Sequence, residues 1–265
     1  MSRSSRAVRG WKWFGLVAAA ALGSALIPAP ATAQGQGTVV VVHGIPSVGA
    51  VDVCANGSIE LLSDVSYGGV APLTVDAGTY DITVNAADGG TCTGAVLIDA
   101  PGTAVPAGAN VSAVANLTGG TPNLAIYPNE VSSIGAGEGR VAVYHAADAP
   151  TVDVLVNGDP GIDDLAQRDV TDADLPAGSY TFTVTSADNS VTVATLNDVP
   201  VAAGQLLQVF AVGAFPDESG ENPFGVVTNT IDLEVVTPSE PTTSSTAPST
   251  APPTTGVATG PRFTG

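Results

Sequence analysis

Two strings of this sequence occur twice. "VVHGIPSVGAVDVCANG" at 41–57 returns as "VYHAADAPTVDVLVNG" at 143–158, and "VDAGTYDITVNAADGG" at 75–90 returns as "LPAGSYTFTVTSADN" at 175–189. The copies lie about a hundred residues apart, far beyond the roughly 20–50-residue period of a solenoid repeat. Each copy is therefore expected to be a domain with its own core. Within the copies the apolar residues alternate. Tyr80, Ile82 and Val84 share one face of "TYDITVN", and Tyr180, Phe182 and Val184 share one face of "SYTFTVT". A period of two marks half-buried strands.

"TVVVVHG", "AVDVCAN", "NVSAVANL", "RVAVYHA", "TVDVLVN", "SVTVATL" and "LLQVFAV" read as further short strands. Gly, Pro, Asp and Asn separate them at the spacing of a sandwich or barrel. The chain is expected to be all-β, with one β-sandwich over 36–132 and a second over 138–236. "GIDDLAQRDV" (161–170) is expected to form a helical turn at most. The short Gly-rich link at 132–139 predicts hinge motion between the two domains.

The ends differ from the middle. Arg3, Arg6, Arg9 and Lys12 precede an apolar stretch from Phe14 to Ile27, and Ala31-Thr32-Ala33 follows. That order reads as a secretory signal over 1–33, cleaved before Gln34. The apolar stretch is shorter than the roughly 20 residues a membrane span needs, so no span is expected after cleavage. From Thr237 to Gly265 the composition shifts to Ser, Thr, Pro and Gly, which supply 22 of 29 residues. Such a segment cannot build a core and reads as a disordered, extended tail.

Cleavage would also remove both tryptophans and the only lysine. Three basic against 25 acidic side chains then leave a formal charge of −22. So acidic a surface repels phosphate backbones and anionic lipid, which argues against nucleic-acid binding. Without lysine, a Schiff base or a Lys–Asn isopeptide crosslink is excluded. The two cysteines, Cys54 and Cys92, both lie in the first copy and read as a structural disulfide. The second copy has Leu155 and Val191 at the matching places, which points the pair toward a core.

"VYHAADAPTVDVLVNG" followed by "LPAGSYTFTVTSAD" resembles the bacterial family of domain of unknown function 4397. Its members carry valine-histidine-alanine, an Asp/Ala/Pro segment, "VDV", Asn/Asp-Gly and "LPAG-T/S-Y" in that order. The first copy departs from this pattern, with "HGIPSVGA" and "VDAG" in two of those places. The resemblance covers most of 38–236. It implies exported Ig-like or transthyretin-like β-sandwich modules, often in tandem, and it implies no activity.

His43 and His145 are the only histidines, and "VDV" places Asp52 and Asp153 nine and eight residues after them. A carboxylate-held histidine is half of a catalytic dyad. The plainer reading is a strand-end histidine whose ring N–H bonds a loop carboxylate and fixes a turn. No G-x-S-x-G elbow accompanies it. Asp163, Asp164, Asp169, Asp172 and Asp174 crowd one segment. Carboxylates converging from one loop suit Ca²⁺, but the spacing is not that of an EF-hand, and a solvated acidic loop is the plainer reading. Tyr80 and Tyr180 are expected inward, whereas Tyr67, Tyr127, Phe215 and Phe224 are candidates for the surface.

The residues point to a non-enzymatic secreted or envelope-associated modular protein. Its role would be binding, adhesion or structure, with cell-wall polymer or another extracellular protein as partner. The alternatives are a hydrolase or metal-assisted enzyme using His145, Asp153 and the acidic segment, or a Ca²⁺-dependent binding module.

Overall fold

Alternating side chains and turn residues shape each repeat the same way. The computed structural model describes residues 35–90 and 92–237. Those residues are all-β. The signal sequence expected at 1–33, and the expected tail beyond Thr237, lie outside them. The first repeat contains β1 (Gln36–His43), β2 (Val51–Ala55), β3 (Ile59–Val65), β4 (Val70–Asp76), β5 (Gly78–Ala86), β6 (Val96–Val105), β7 (Asn110–Thr118) and β8 (Thr121–Pro128). After the two-residue β9 (Ile134–Gly135), the second contains β10 (Glu138–His145), β11 (Val152–Val156), β12 (Asp159–Leu165), β13 (Val170–Pro176), β14 (Gly178–Ser186), β15 (Thr192–Val201), β16 (Gln205–Val212) and β17 (Gly225–Asp232). A final short strand, β18 (Val235–Val236), pairs with β9.

Each repeat is a sandwich of two four-stranded sheets. The first has the orders β4-β1-β7-β8 and β3-β2-β5-β6, and the second repeats them as β13-β10-β16-β17 and β12-β11-β14-β15. The central pairs β1–β7 and β10–β16 are parallel. Their registers superimpose, because His43 lies opposite Ala115 and His145 opposite Ala211. "GIDDLAQRDV" is not helical: it completes β12, turns, and enters β13.

The shared local devices have physical causes. Asn56-Gly57 and Asn157-Gly158 take positive φ at both positions, the backbone that a tight hairpin turn needs. Each asparagine side chain also accepts a backbone N–H from the neighbouring strand, Asp81 for Asn56 and Thr181 for Asn157. The Tyr80 hydroxyl donates to the Asp76 carbonyl at 2.6 Å, and the Tyr180 hydroxyl donates to the Pro176 carbonyl at 2.7 Å. Each tyrosine thereby ties its strand to the preceding corner.

The two repeats share one core, and the hinge expected at the link gives way to a fused seam. Both belong to a single compact unit. Val40, Val42, Val114, Ala125 and Tyr127 of the first repeat pack in one cluster with Ala142, Tyr144, Leu206, Phe210 and Val227 of the second. Val39, Val41 and Ala113, on the opposite face of β1 and β7, line the interior of the first sandwich. The central strands are thus covered on both faces. Tyr127 meets Tyr144 edge-on at 5.5 Å, and Tyr144 stacks on Phe210 at 4.4 Å. Tyr127 is fully buried here, not at the surface as its sequence position predicted. Gly44 permits the close approach: an added Cβ would sit 2.7 Å from Val212 Cγ1 and 2.9 Å from the Ala115 carbonyl oxygen.

Polar groups fix the seam's register. Gln208 Nε2 lies 3.0 Å from Ser112 Oγ and 2.9 Å from both Asn129 Oδ1 and Tyr144 Oη, while Gln208 Oε1 accepts from Asn229. Asn129 Oδ1 also accepts from the Ser112 and Tyr144 hydroxyls, each at 2.8 Å. A buried polar network satisfied in this way penalises any slipped pairing, which would strand its members without partners. At the link, Arg140 is buried and binds Asp174 through Nε at 2.6 Å and a terminal nitrogen at 3.0 Å. Its other terminal nitrogen donates to the Glu130 and Ser132 carbonyls. The link is therefore clamped to the second repeat.

Phe210→Ala removes a ring from the middle of this seam and is expected to cost about 3–5 kcal/mol in urea unfolding. Amide exchange should accelerate in β1 and β7 as well as in β10 and β16. An effect confined to the second repeat would contradict a shared core.

Candidate functional site

The chemistry-bearing residues of the sequence sit where β1 crosses to β2 and where β10 crosses to β11. In each repeat this connection passes from one sheet to the other, and the histidine ends the first strand. His43 Nε2 lies 3.0 Å from the Gly49 carbonyl oxygen, and His145 Nε2 lies 2.9 Å from that of Pro150. A carbonyl only accepts, so in both rings Nε2 carries the proton. His43 Nδ1 accepts from the Ile45 N–H at 3.4 Å. His145 Nδ1 is buried with no hydrogen-bond partner among the described residues. Burial holds both imidazoles below the ordinary value of 6.5; the loop carbonyls act in the opposite direction on both, and Asp169 also does so on His145.

The carboxylate expected to hold each histidine does something else. Asp52 Oδ1 accepts the Asp64 N–H at 2.9 Å, and its other oxygen accepts the Asp88 N–H. Asp153 Oδ1 accepts the Asp164 N–H at 2.8 Å, and its other oxygen accepts from the Asn189 side chain. Asp64 and Asp164 both have positive φ, beside irregular pairing of β2 with β3 and of β11 with β12. The "VDV" aspartate therefore stabilises a bulge in the neighbouring strand and a loop beyond it. The spacing predicted a bond from each histidine to a carboxylate, and each histidine bonds a loop carbonyl instead.

The cysteines form the disulfide Cys54–Cys92, with Cα atoms 6.0 Å apart. Cys54 is fully buried, yet not in the sandwich interior, which its neighbours Val51 and Val53 line. It lies on the opposite face of β2 with Asp52. Asn85 donates from β5 to the Cys92 and Gly94 carbonyls. The bond thus pins the β5–β6 loop over the outer face of the sheet. In the second repeat Leu155 is half-buried and Val191 is 45% exposed, so the matching apolar pair does not reproduce that burial.

The acidic segment does not converge. Asp163 and Asp164 belong to β12, in one sheet, while Asp172 and Asp174 belong to β13, in the other. Asp174 grips Arg140, Asp172 lies 3.7 Å from it, and Asp169 occupies the turn between the strands. Among the described residues no three His, Cys, Asp or Glu side chains are placed to hold a metal ion. No helix among them is long and apolar enough to cross a membrane.

Two hollows remain. A cleft of about 220 Å³ opens at the seam beside the link, lined by Pro128, Asn129, Glu130, Ala142, Tyr144, Val170 and Asp172. Burial pushes the Tyr144 hydroxyl up to about 12, so it stays a neutral donor at the cleft floor. The other hollow, of about 60 Å³, lies between the two sheets of the first repeat and is walled almost entirely by aliphatic side chains.

The paired architecture has a counterpart in sequence comparison. The family model described as domain of unknown function (DUF4397) matches residues 37–155 and again 142–230. The chain belongs to the DUF4397 family. No curated protein matches the sequence. The tandem DUF4397 matches span the strands of both sandwiches, including both histidines, both "VDV" aspartates and the seam.

Sequence reasoning passed over Asn129 and Gln208, which are buried polar residues at the seam. A signal for them was present. "TVVVVHG", "RVAVYHA" and "LLQVFAV" do not alternate, and unbroken apolar runs mark strands buried on both faces. A glutamine inside such a run must then find buried partners.

Burial of the two histidines predicts a pH-dependent stability. An imidazole held below 6.5 in the folded state refuses a proton that the unfolded chain accepts, so its stabilisation is full above about 6.5 and declines as pH falls below it. Melting temperature is expected to drop more steeply from pH 7 to 5 in the wild type than in the His43→Gln/His145→Gln variant. Parallel profiles would contradict this. His145→Ala, which leaves the Pro150 carbonyl unpaired, should cost roughly 1–3 kcal/mol at pH 7.

Proposed function

We propose that the protein is a non-enzymatic, exported binding module in which a rigid two-repeat body presents its loops outside the cytoplasm. The observation that carries this reading is how the polar side chains are used. Both histidines donate to loop carbonyls, and both "VDV" aspartates accept backbone or side-chain N–H groups. The residues best suited to chemistry hold turns. The Cys54–Cys92 bond supports export, since disulfides persist in oxidising compartments. Fusion of the repeats supports presentation, because loops on a stiff body bind without first losing the entropy of a hinge.

The partner class favoured is cell-wall polymer or another extracellular protein. Co-sedimentation with purified cell-wall sacculi tests it, using residues 34–265 and a form ending at Val236. The longer form is expected to pellet. Pelleting of the shorter form as well would assign the contact to the β-body, and its release would assign it to the Thr/Pro-rich tail. Recovery of both forms in the supernatant would overturn the wall reading.

A further inference from the structure

An open sheet ends in strands whose outer N–H and C=O groups can pair with a further chain, and folds blunt such edges with proline, bulges and charge. The four four-stranded sheets have eight edges. β4 has Pro72, β6 has Pro101, β12 has Pro160, β13 has Pro176 and β15 has Pro200, while β8 has both Pro122 and Pro128. β3 carries Glu60 and is bulged at Asp64. Among these edges, β17 alone has none of these devices along 225–231. It pairs with β16 without a register break, from Asp232 opposite Gln205 to Gly225 opposite Val212, and no charged residue lies between Gly225 and Ile231.

The Leu233 N–H donates to the Gly204 carbonyl. Hydrogen-bonded pairs alternate along an antiparallel ladder, so Ile231, Asn229 and Val227 turn their backbone groups toward β16, and Asp232, Thr230, Thr228 and Val226 turn theirs outward. Among the described residues no backbone group outside the ladder bonds to these four. Thr228, Thr230 and Asp232 are exposed. The matching edge of the first repeat is closed. The Asn129 N–H donates to the Asn110 carbonyl, so the same alternation turns Pro122 and Pro128 outward, where a proline has no N–H to offer. Thr230 stands in β17 where Pro128 stands in β8. β6 also packs against β8, and β15 makes no comparable contact with β17.

The ends of the strand specify the guest. Exposed Glu218 and Glu221 precede β17, and exposed Asp232 and Glu234 lie at its other end. Carboxylates at both ends favour cations there, with a strength that salt screens. A second copy of this chain would bring the same carboxylates to the same ends. A polysaccharide has no row of alternating N–H and C=O groups to match the edge. We propose that β17 takes an extended, proline-free segment of another protein as a fifth strand of the β13-β10-β16-β17 sheet, with lysine or arginine at the segment's ends. The inference rests on the reading of the protein as a binding module, while the sacculi result and the result below stand or fall separately.

Amide NMR of the full chain titrated with end-blocked peptides tests the proposal. The probes are Lys-Thr-Val-Thr-Val-Thr-Lys, its counterpart with glutamate at both ends, and a lysine-ended peptide with proline at the centre. The first is expected to bind saturably and to slow amide exchange at Val226, Thr228, Thr230 and Asp232. It should bind roughly tenfold tighter than the glutamate peptide in dilute buffer, with the gap closing as salt is added. Thr230→Pro, which copies Pro128 of the first repeat, should weaken binding at least tenfold without lowering the melting temperature. The docking edge is refuted if the first peptide does not bind, if exchange slows at another strand, or if Thr230→Pro or the proline peptide binds equally well. Equal binding of the glutamate peptide would refute the charge assignment. Slow exchange at the four amides before any peptide is added would also refute the proposal: protection lost in a form ending at Val236 would make the tail the occupant, and protection lost on dilution a second copy. Should Thr230→Pro fail to fold, the wild-type amides still decide.

Discussion

Burial of two sheet faces against each other is the constraint on which the molecule depends. A sandwich normally leaves the outer face of each sheet to water, so its strands alternate. Here β1, β7, β10 and β16 carry apolar side chains on both faces. Val40, Val42, Val114, Leu206 and Phe210 would be wet in a separated repeat and are at most 1% exposed in the fused pair. At roughly 1.5–3 kcal/mol for each large side chain taken out of water, the seam is comparable in strength to a domain's own core. The Ser112–Asn129–Tyr144–Gln208 network then selects one register from the many that apolar contact alone would allow.

The two repeats agree where the frame requires it and differ where they meet and where each packs its own interior. The histidine at the sheet crossover, the aspartate beneath the bulge, the Asn-Gly turn and the tyrosine at the corner occur in both, and each makes the same kind of bond twice. The differences fall on the two faces of the central sheets. Val42 against Tyr144, Ser112 against Gln208 and Val114 against Phe210 make the seam asymmetric, so that small side chains on one side receive large ones from the other. Between the sheets Val111 stands against Leu207 and Ala113 against Val209, whereas Leu61 stands against Gly161 and Ile126 against Thr228, so each interior is filled by a different set of side chains. Only the first repeat carries a disulfide, and it fastens the β5–β6 loop over the outer face of its sheet.

Much of this was legible in the sequence, and the gaps have physical reasons. Central strands such as β5 and β14 announce themselves by alternation, and the repeated strings located both sandwiches. Edge strands β4, β12 and β13 escaped notice because half of each meets water and tolerates Asp, Pro and Gly. The bonding partners of His43 and His145 are backbone carbonyls, which every residue possesses and no sequence displays. Asp163 and Asp174 are near in sequence, but the chain changes sheets between them. The seam could have been read from "LLQVFAV", since a strand with no polar face needs a second cover.

Differential scanning calorimetry of residues 34–265 is the most direct measure of the shared core. A fused pair predicts one transition whose calorimetric and van't Hoff enthalpies agree for the whole chain. Two separable transitions, or a van't Hoff enthalpy near half the calorimetric value, would show two independent sandwiches and contradict the seam.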